Sequence, residues 1–306
     1  MYDAASALYN AATTLWDNFI NIAMQLFKTS PLTVNGSVYS IAHSCFNALA
    51  SISLPLAIVF FLIAILKEVI SSPPEQQARR FLFSALKFGI IVGIIANLWT
   101  IMGVIVEISD GITNAVGAGD VSLSIPTDLD SIVKTICEKE ASPPGPFNDP
   151  IDFVLRIGDE LARWFSETIS FLLQKIVVII TAFATLILII SSGITILNCA
   201  FQRIIKPLVL LPFSTITIAA AAGSGEVERI STSYLKSFFG LCISGAFMII
   251  CIKLGSALIN GGLIQINGGG GSDMLSFLFL AVQFAVTPLV IAGLIKNVDG
   301  MIARFL

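Results

Sequence analysis

The sequence predicts an all-α, polytopic helical membrane protein with about five transmembrane helices and one re-entrant or interfacial hairpin. Of its 306 residues, 56% are hydrophobic and only 12% are charged, against roughly 25% charged in a typical soluble domain. The apolar runs are continuous, whereas the strands of a membrane barrel alternate apolar and polar residues. Because every backbone polar group must be satisfied inside a bilayer, helices are the remaining way for such runs to cross it.

The first element, within residues 1–37, is predicted to be an amphipathic extracytoplasmic helix over residues 3–28. Its apolar residues share one helical stripe, formed by Leu8, Leu15, Phe19, Ile22 and Leu26. Polar residues interrupt the other turns, which favours a helix in the membrane interface or against a partner over a membrane span.

Residues 38–106 are predicted to hold the first and second spans, at residues 41–66 and 81–106, with a short cytoplasmic loop between them. The loop ends in Arg79 and Arg80. Gly89 and Gly93 lie four residues apart in the second span. This spacing lets the backbone of another helix approach closely, so we predict these two glycines as helix-packing residues.

Residues 107–168 are predicted to form an acidic extracytoplasmic loop with short helices. Between residues 107 and 167 there are twelve acidic and four basic residues, a formal charge of −8. Two amphipathic helices are expected there, over residues 128–139 and 152–165, separated by the proline-rich residues 142–146.

Residues 169–306 are predicted to form a membrane core with spans at residues 169–197, 238–259 and 274–295 and a short cytoplasmic tail. The apolar segment 207–222 follows Arg203 and Lys206 and contains Pro207 and Pro212. At 16 residues it is shorter than the ~20 residues that a straight crossing needs, and the prolines interrupt it further.

The distribution of lysine and arginine decides how segment 207–222 is interpreted, because these residues concentrate on the cytoplasmic side of spans. If the segment dips in and returns, nine basic residues lie inside and five outside; if it crosses, the numbers reverse. We therefore predict a re-entrant segment, with the N-terminus outside and the C-terminus in the cytoplasm.

Three lysines and the single histidine are further candidates, because a charge inside an apolar span is costly. Lys87, Lys175 and Lys253 lie within predicted spans, about six residues from an end. Either they reach the interface or pair with a polar group, or Lys175 and Lys253 form a basic belt that contacts substrate or anionic lipid. His43 is expected to have a hydrogen-bonded structural role. The five cysteines indicate packing residues rather than a metal or disulfide framework.

After the third predicted span comes a basic, proline-bearing apolar segment, QRIIKPLVLLPF. The small-residue run ITIAAAAGSG and the segment ERISTSYLK follow it. With an outside N-terminal helix, five spans and a large loop after the second span, the chain resembles the TrbL-like family of conjugal transfer proteins. These are polytopic inner-membrane subunits of type IV secretion systems. We expect this chain to differ from longer members of that family in lacking a long hydrophilic C-terminal domain.

The resemblance implies a non-enzymatic scaffold or channel subunit of the bacterial inner membrane, without a cofactor, that helps move DNA or protein. It implies a homo-oligomer that contacts other type IV secretion subunits and membrane lipid. The acidic loop fits this only in part, because a surface of charge −8 repels nucleic acid. We expect the acidic loop to contact protein partners or to keep DNA away from the walls of the channel. A loop that is only solvated is the alternative.

A small-solute permease is the alternative function. Permeases place paired broken helices at the membrane midplane, and only one proline-broken segment is visible, with no counterpart in residues 41–106. A membrane enzyme would need clustered acids or histidines near a span end, and the sequence shows none.

Overall fold

The computed structural model describes residues 2–32, 36–118, 127–140, 150–260 and 273–305. Within these ranges the chain is helical and has no strand, so the all-α prediction is confirmed. The predicted proline-rich run at residues 142–146 lies outside the described residues. The helices are α1 (Tyr2–Lys28), α2 (Gly36–Ala64), α3 (Pro74–Ala96), α4 (Leu98–Val116), α5 (Thr127–Glu138), α6 (Pro150–Ala219), α7 (Glu226–Asn260), α8 (Asp273–Lys296) and α9 (Val298–Phe305).

Several helices are long and apolar enough to cross a membrane, as the sequence predicts. Among the described residues four qualify alone, and the bent pair α3 and α4 makes a fifth if it counts as one span. The four are Gly36–Lys67, Asp159–Ala222, Glu226–Ala257 and Met274–Lys296. The chain therefore has the helices of a multi-pass membrane protein.

The predicted second span is not one straight helix. Helix α3 ends at Ala96, α4 begins at Leu98, and the two helices are bent by 70° relative to each other. Asn97 leaves the helical conformation with φ −113° and ψ 13°, and its Nδ2 donates to the carbonyl oxygen of Gly93 at 3.1 Å. Asparagine side chains compete for backbone hydrogen bonds in this way, which explains the break without a proline. The acidic loop also begins later than predicted, because α4 continues to Val116.

The predicted hairpin within residues 207–222 is wrong. Helix α6 is continuous from Pro150 to Ala219, so it absorbs the predicted helix 152–165, the third span and most of the hairpin segment. The chain reverses only after the 3₁₀ turn Ala220–Ala222, where Gly225 adopts φ 65°. Pro207 and Pro212 stay inside the helix and are buried. Neighbouring protein can cover the backbone that an intrahelical proline frees, which is how apolar helices tolerate it.

The chain divides into two compact units. Unit 1 comprises Met1–Asn21, Asp120–Ile196 and Ile252–Gly293, and unit 2 comprises Ile22–Gly119, Leu197–Cys251 and Leu294–Leu306.

Unit 1 packs aromatic rings and small residues. The rings of Tyr9 and Phe284 meet edge to face with centroids 6.1 Å apart. Gly193 faces the ring of Phe19 so closely that a Cβ there would overlap it.

The apolar stripe predicted for α1 is displaced by one position. The residues buried on α1 within unit 1 are Ala5, Tyr9, Ala12, Trp16 and Ile20. Of the five residues predicted, none is buried. Both stripes have helical spacing, so the sequence alone does not show which of the two faces the core.

Unit 2 has an apolar core drawn from α2, α3, α4, α6 and α7. Its members are Phe46, Ala57, Ile91, Leu98, Met102, Val106, Leu211, Ile218, Ala219, Ala222, Phe238 and Cys242. Several come from segment 207–222, which therefore packs largely against protein. Burial of these side chains, rather than helix propensity, holds the segment in place.

Candidate functional site

Arg203 is the most deeply buried described cation of unit 2, with 3% of its surface exposed. Its Nη1 donates to the carbonyl oxygen of Phe27 at the end of α1. Its Nη2 donates to Asp110 Oδ1 at 3.2 Å and to Thr113 Oγ1 at 3.3 Å, both on α4. One guanidinium thus joins α1, α4 and α6, which uses the fixed fork of donors that arginine carries.

Helix α7 also closes on this guanidinium. Gly245 lies so near Arg203 that a Cβ at that position would overlap the Arg203 side chain. Glycine is therefore required for the close approach. We refer to Phe27, Asp110, Thr113, Arg203 and Gly245 as the Arg203 cluster.

The Arg203 cluster is costly to bury. Both charges lose most of their hydration, and attraction between them repays that loss only when the geometry is good. Among the described residues, Asp110 Oδ2 and Arg203 Nε have no hydrogen-bond partner. We infer that this buried pair fixes the register of the helices it joins more than it adds stability.

A second cluster lies at the turn between α6 and α7. Lys87 on α3 pairs with Glu228 at 2.8 Å and donates to the carbonyl oxygen of Gly223 at 3.1 Å. The Nζ of Lys67 lies 3.8 Å from the position of a Cβ at Gly225. We call Lys67, Lys87, Gly223 and Glu228 the Lys87 cluster. Lys87 therefore pairs with polar groups, the first of the two interpretations that the sequence left open.

A third ion pair joins α6 to α9. Lys206 Nζ pairs with Asp299 Oδ2 one turn beyond Arg203 along α6. The helix α9 that carries Asp299 was not predicted, since the sequence suggested only a short tail there.

These contacts contradict the predicted topology. The prediction places Phe27 and Asp110 outside and Arg203 in the cytoplasm, yet these groups are in hydrogen-bond contact. The hydrocarbon layer is ~30 Å thick, so groups in contact lie at the same depth and cannot lie on opposite sides of it. The one crossing that the prediction places between residues 110 and 203 does not fit this contact.

The same reasoning applies to the two termini of unit 2. Phe27 contacts Arg203, and Asp299 contacts Lys206 one turn away. Phe27 and Asp299 thus belong to the same side, which does not fit an N-terminal helix outside and a C-terminal tail in the cytoplasm. Counting basic residues missed this because Arg203 and Lys206 have acidic partners within the fold.

The distance between the two clusters along α6 matches a bilayer. Arg203 and Gly223 are 20 residues apart, which is ~30 Å at 1.5 Å per helical residue. The hydrocarbon core of a bilayer has about the same thickness. The helix between Arg203 and Gly223 therefore carries a polar cluster at each end, one hydrocarbon thickness apart.

The lysines predicted to form a basic belt lie in unit 1. Lys175 and Lys253 are both half-buried. Lys175 acts electrostatically on the thiol of Cys137: burial raises the pKa of Cys137, and the positive charge of Lys175 opposes that rise. A belt formed by Lys175 and Lys253 stays a prediction.

The predicted packing glycines and the histidine have simpler surroundings. Outside their own helix turns, no described atom lies within 4 Å of a Cβ at Gly89 or Gly93. Neither glycine therefore packs closely against another described helix. Helix packing by these two glycines stays a prediction that concerns other chains. His43 Nδ1 lies 3.2 Å from Asn47 Nδ2, and its ring packs against Trp99 with centroids 4.7 Å apart.

The cysteines and metal-ligating residues form no centre within the described ranges. All five cysteines are free thiols. No group of three or more histidines, cysteines or acids that could hold a metal is found among the described residues.

Apolar helices joined by buried polar contacts make this a polytopic helical membrane protein by fold. No protein-family model matches the sequence, and no curated protein or solved structure is detectably similar to the chain.

Proposed function

We propose that the protein is a non-enzymatic scaffold or channel subunit of a conjugative type IV secretion system in the bacterial inner membrane, where it helps move DNA or protein. The observation that carries this is the Arg203 cluster, in which one buried guanidinium joins α1, α4 and α6 while Gly245 brings α7 against it. Such contacts hold helices in a fixed register, as a scaffold requires. The resemblance to TrbL-like proteins supplies the secretion system.

We also propose that the helix from Arg203 to Ala222 crosses the membrane. Its length and the polar clusters at its two ends support this assignment. Lys67 and the loop residues Arg79 and Arg80 are basic residues on the side of the Lys87 cluster, and we propose that this side is cytoplasmic. The Arg203 cluster and Asp299 then lie on the outer side.

Other copies of the chain, other secretion subunits and membrane lipid are the proposed partners. Helix α3 offers a surface for a neighbouring helix, because Gly89 and Gly93 are open and Leu86 and Ile90 beside them are exposed. Small residues of this kind let helix backbones approach closely inside a membrane.

A small-solute permease is the second candidate. The 70° break at Asn97 favours it, because this is a broken helix in the part of the chain where the sequence showed none. Paired broken helices are expected in such transporters. Segment 207–222, the expected counterpart, is continuous in α6, so the pair is incomplete.

A DNA-transfer assay tests the proposal. A donor strain that lacks the gene is complemented with the wild-type gene, with Arg203→Ala or with Gln202→Ala, an exposed neighbour that serves as the control. Immunoblots of isolated membranes verify that each protein is present. We expect transfer with the wild type and Gln202→Ala and its loss with Arg203→Ala. Normal transfer in the deletion strain would contradict a role in conjugation, and a solute-uptake defect there would favour the permease.

A further inference from the structure

An open groove runs beside α3 in unit 2, next to the Lys87 cluster. It has a volume of about 460 Å³, which is within the range of ~300–1,000 Å³ found for small-ligand sites. Its lining includes four apolar side chains of α3 and two polar ones, namely Phe83, Leu86, Ile90, Ile91, Ser84 and Lys87. A groove with this mostly apolar lining suits a hydrocarbon chain better than a polar solute.

The apolar residues of the groove are not covered by the chain itself. Phe83, Leu86 and Ile90 are 61%, 65% and 56% exposed. The groove also contains Lys87, which contacts Gly223 at the end of the helix that we propose to cross the membrane. In that orientation the groove begins where the hydrocarbon layer meets the lipid headgroups.

The polarity of the groove changes along α3. The Arg79 guanidinium lies 5.7 Å from the centroid of the Phe83 ring, and Arg80 lies one helical turn before Ser84. Beyond Lys87 the lining that α3 contributes is entirely apolar. Basic residues are therefore followed by apolar ones, in the same order as the headgroup and the acyl chain of a phospholipid.

The spacing of these basic residues along α3 fits a headgroup. Arg80 and Lys87 are seven residues apart, which is ~10 Å along a helix. The headgroup layer on each side of a bilayer is ~5–8 Å thick. Long basic side chains from these two levels therefore reach a phosphate that lies between them.

Lys87 by itself does not supply excess charge. Its ammonium group is paired with Glu228 and donates to the carbonyl oxygen of Gly223. An ammonium group has three hydrogens to donate, so one remains for a further acceptor. The net attraction for an anion must come from other residues.

The two arginines supply that charge. Arg80 donates to the Gln76 side chain at 3.4 Å, and Arg79 lies over an aromatic ring. Neither guanidinium is paired with a carboxylate among the described residues. Glu75 is the single acid of α3, so the helix keeps a positive excess at this end of the groove.

We propose that the groove beside α3 binds an anionic phospholipid, with an acyl chain along Phe83, Leu86 and Ile90 and the phosphate held by Arg79 and Arg80. Arginine suits this role because its planar fork of donors matches phosphate oxygens. The inference rests on the proposed membrane crossing, and it names the class of lipid among the proposed partners.

Native mass spectrometry of the full-length protein, purified in detergent, tests the choice of headgroup. Dioleoylphosphatidylglycerol or dioleoylphosphatidylcholine is added in increasing amounts, and the dissociation constant of the first bound lipid is measured. The two lipids have identical chains, so the ratio of their constants reports the headgroup alone. We expect phosphatidylglycerol to bind at least about fivefold more tightly, the factor that one basic residue contributes near anionic lipid. Equal binding would overturn the site.

Substitution of the arginines tests the residues. Arg79→Gln combined with Arg80→Gln should lower the preference for phosphatidylglycerol about threefold or more. Arg79→Lys combined with Arg80→Lys keeps the charge and should keep most of the preference. The matched control is Lys296→Gln combined with Arg304→Gln, which removes two exposed basic residues of unit 2 that do not line the groove. An equal loss in this control would overturn the proposal, because net charge alone would then select the lipid.

A bulky substitution tests the position of the acyl chain. Ser84→Phe places a ring in the groove and should weaken the binding of both lipids about threefold or more. Leu82→Phe is the control, since Leu82 is exposed on α3 and does not line the groove. Unchanged binding in Ser84→Phe would overturn the placement of the chain. The membrane crossing is tested separately, by cysteine labelling in intact cells, so a failure of lipid selectivity counts against the groove alone.

Discussion

The Arg203 cluster and the Lys87 cluster handle the same problem, a cation on an apolar helix, in different ways. The side chains of Arg203 and Asp110 are 1% and 11% exposed, whereas those of Lys87 and Glu228 are 36% and 46% exposed. Arg203 donates to two side chains of α4 and to the backbone of α1, whereas Lys87 contacts a turn and one side chain. A charged residue on an apolar helix therefore has a different role in each cluster. Arg203 is buried and joins helices, whereas Lys87 forms an ion pair that is partly exposed.

The largest effect is expected from breaking the buried pair. Arg203→Ala leaves Asp110 buried without its partner and should lower the free energy of unfolding by about 3–5 kcal/mol. The double variant Arg203→Met with Asp110→Leu removes both charges and should recover most of that loss. Unfolding of the purified protein in detergent measures both. A double variant as unstable as Arg203→Ala would show that the charges themselves, and not the mismatch, matter.

A smaller loss is expected from crowding the same cluster. Gly245→Ala places a methyl group against the Arg203 side chain and should cost about 1–3 kcal/mol, as overpacking does. Gly111→Ala is the matched control, because Gly111 is exposed within α4 and a Cβ there has nothing within 4 Å outside its own helix turn. It should change stability by less than ~1 kcal/mol and in the favourable direction, since alanine is the better helix former. Equal losses in the two variants would show that Gly245 is not held against Arg203.

The exposed pair is expected to contribute least. Lys87→Ala and Glu228→Gln should each lower stability by no more than about 1 kcal/mol, because water screens a pair this exposed. High salt should reduce the effect further. A double-mutant cycle in low and high salt measures the coupling energy, and a coupling above 2 kcal/mol would place Lys87 in the same class as Arg203.

A pH measurement extends the comparison to a lysine of unit 1. Burial raises the pKa of the Cys137 thiol, so its thiolate is scarcer at neutral pH than that of a free cysteine, and its alkylation rate should still be rising above pH 9. Lys175 opposes this rise, so Lys175→Gln should move the profile to higher pH. Rates of iodoacetamide modification between pH 7 and 10 test this, with Lys253→Gln as the control. A profile that Lys175→Gln does not move would separate Lys175 from Cys137.

The sequence predicted the helices well and their contacts poorly. Continuous apolar runs determine where helices form, so the span at residues 274–295 agrees with α8 to within a residue or two at each end. The bend at Asn97 depends on a side-chain hydrogen bond to Gly93, and no proline announces it. The prolines that do suggest a break, Pro207 and Pro212, are accommodated because their helix is covered by its neighbours.

The candidate site was missed for a related reason. In the sequence, Arg203 is visible only as a basic residue before the apolar segment 207–222. Asp110 is visible only as one of the twelve acids of the predicted acidic loop. To predict that the two residues pair, one must know that α4 continues past residue 106 and that both side chains are buried in the same core. One signal is present in the sequence: Asp110 lies within a largely apolar stretch from Leu98 to Val116 whose only other acid is Glu107, and a buried acid requires a basic partner.

The central claim is that the helix between the two clusters crosses the membrane, and cysteine accessibility in intact cells tests it most directly. Gln202→Cys and Glu226→Cys place exposed thiols beside the Arg203 cluster and beside the Lys87 cluster. A membrane-impermeant maleimide should label Gln202→Cys in intact cells and Glu226→Cys only after permeabilisation. If both thiols are protected until the cells are permeabilised, the segment returns to the side from which it entered, and the crossing is contradicted.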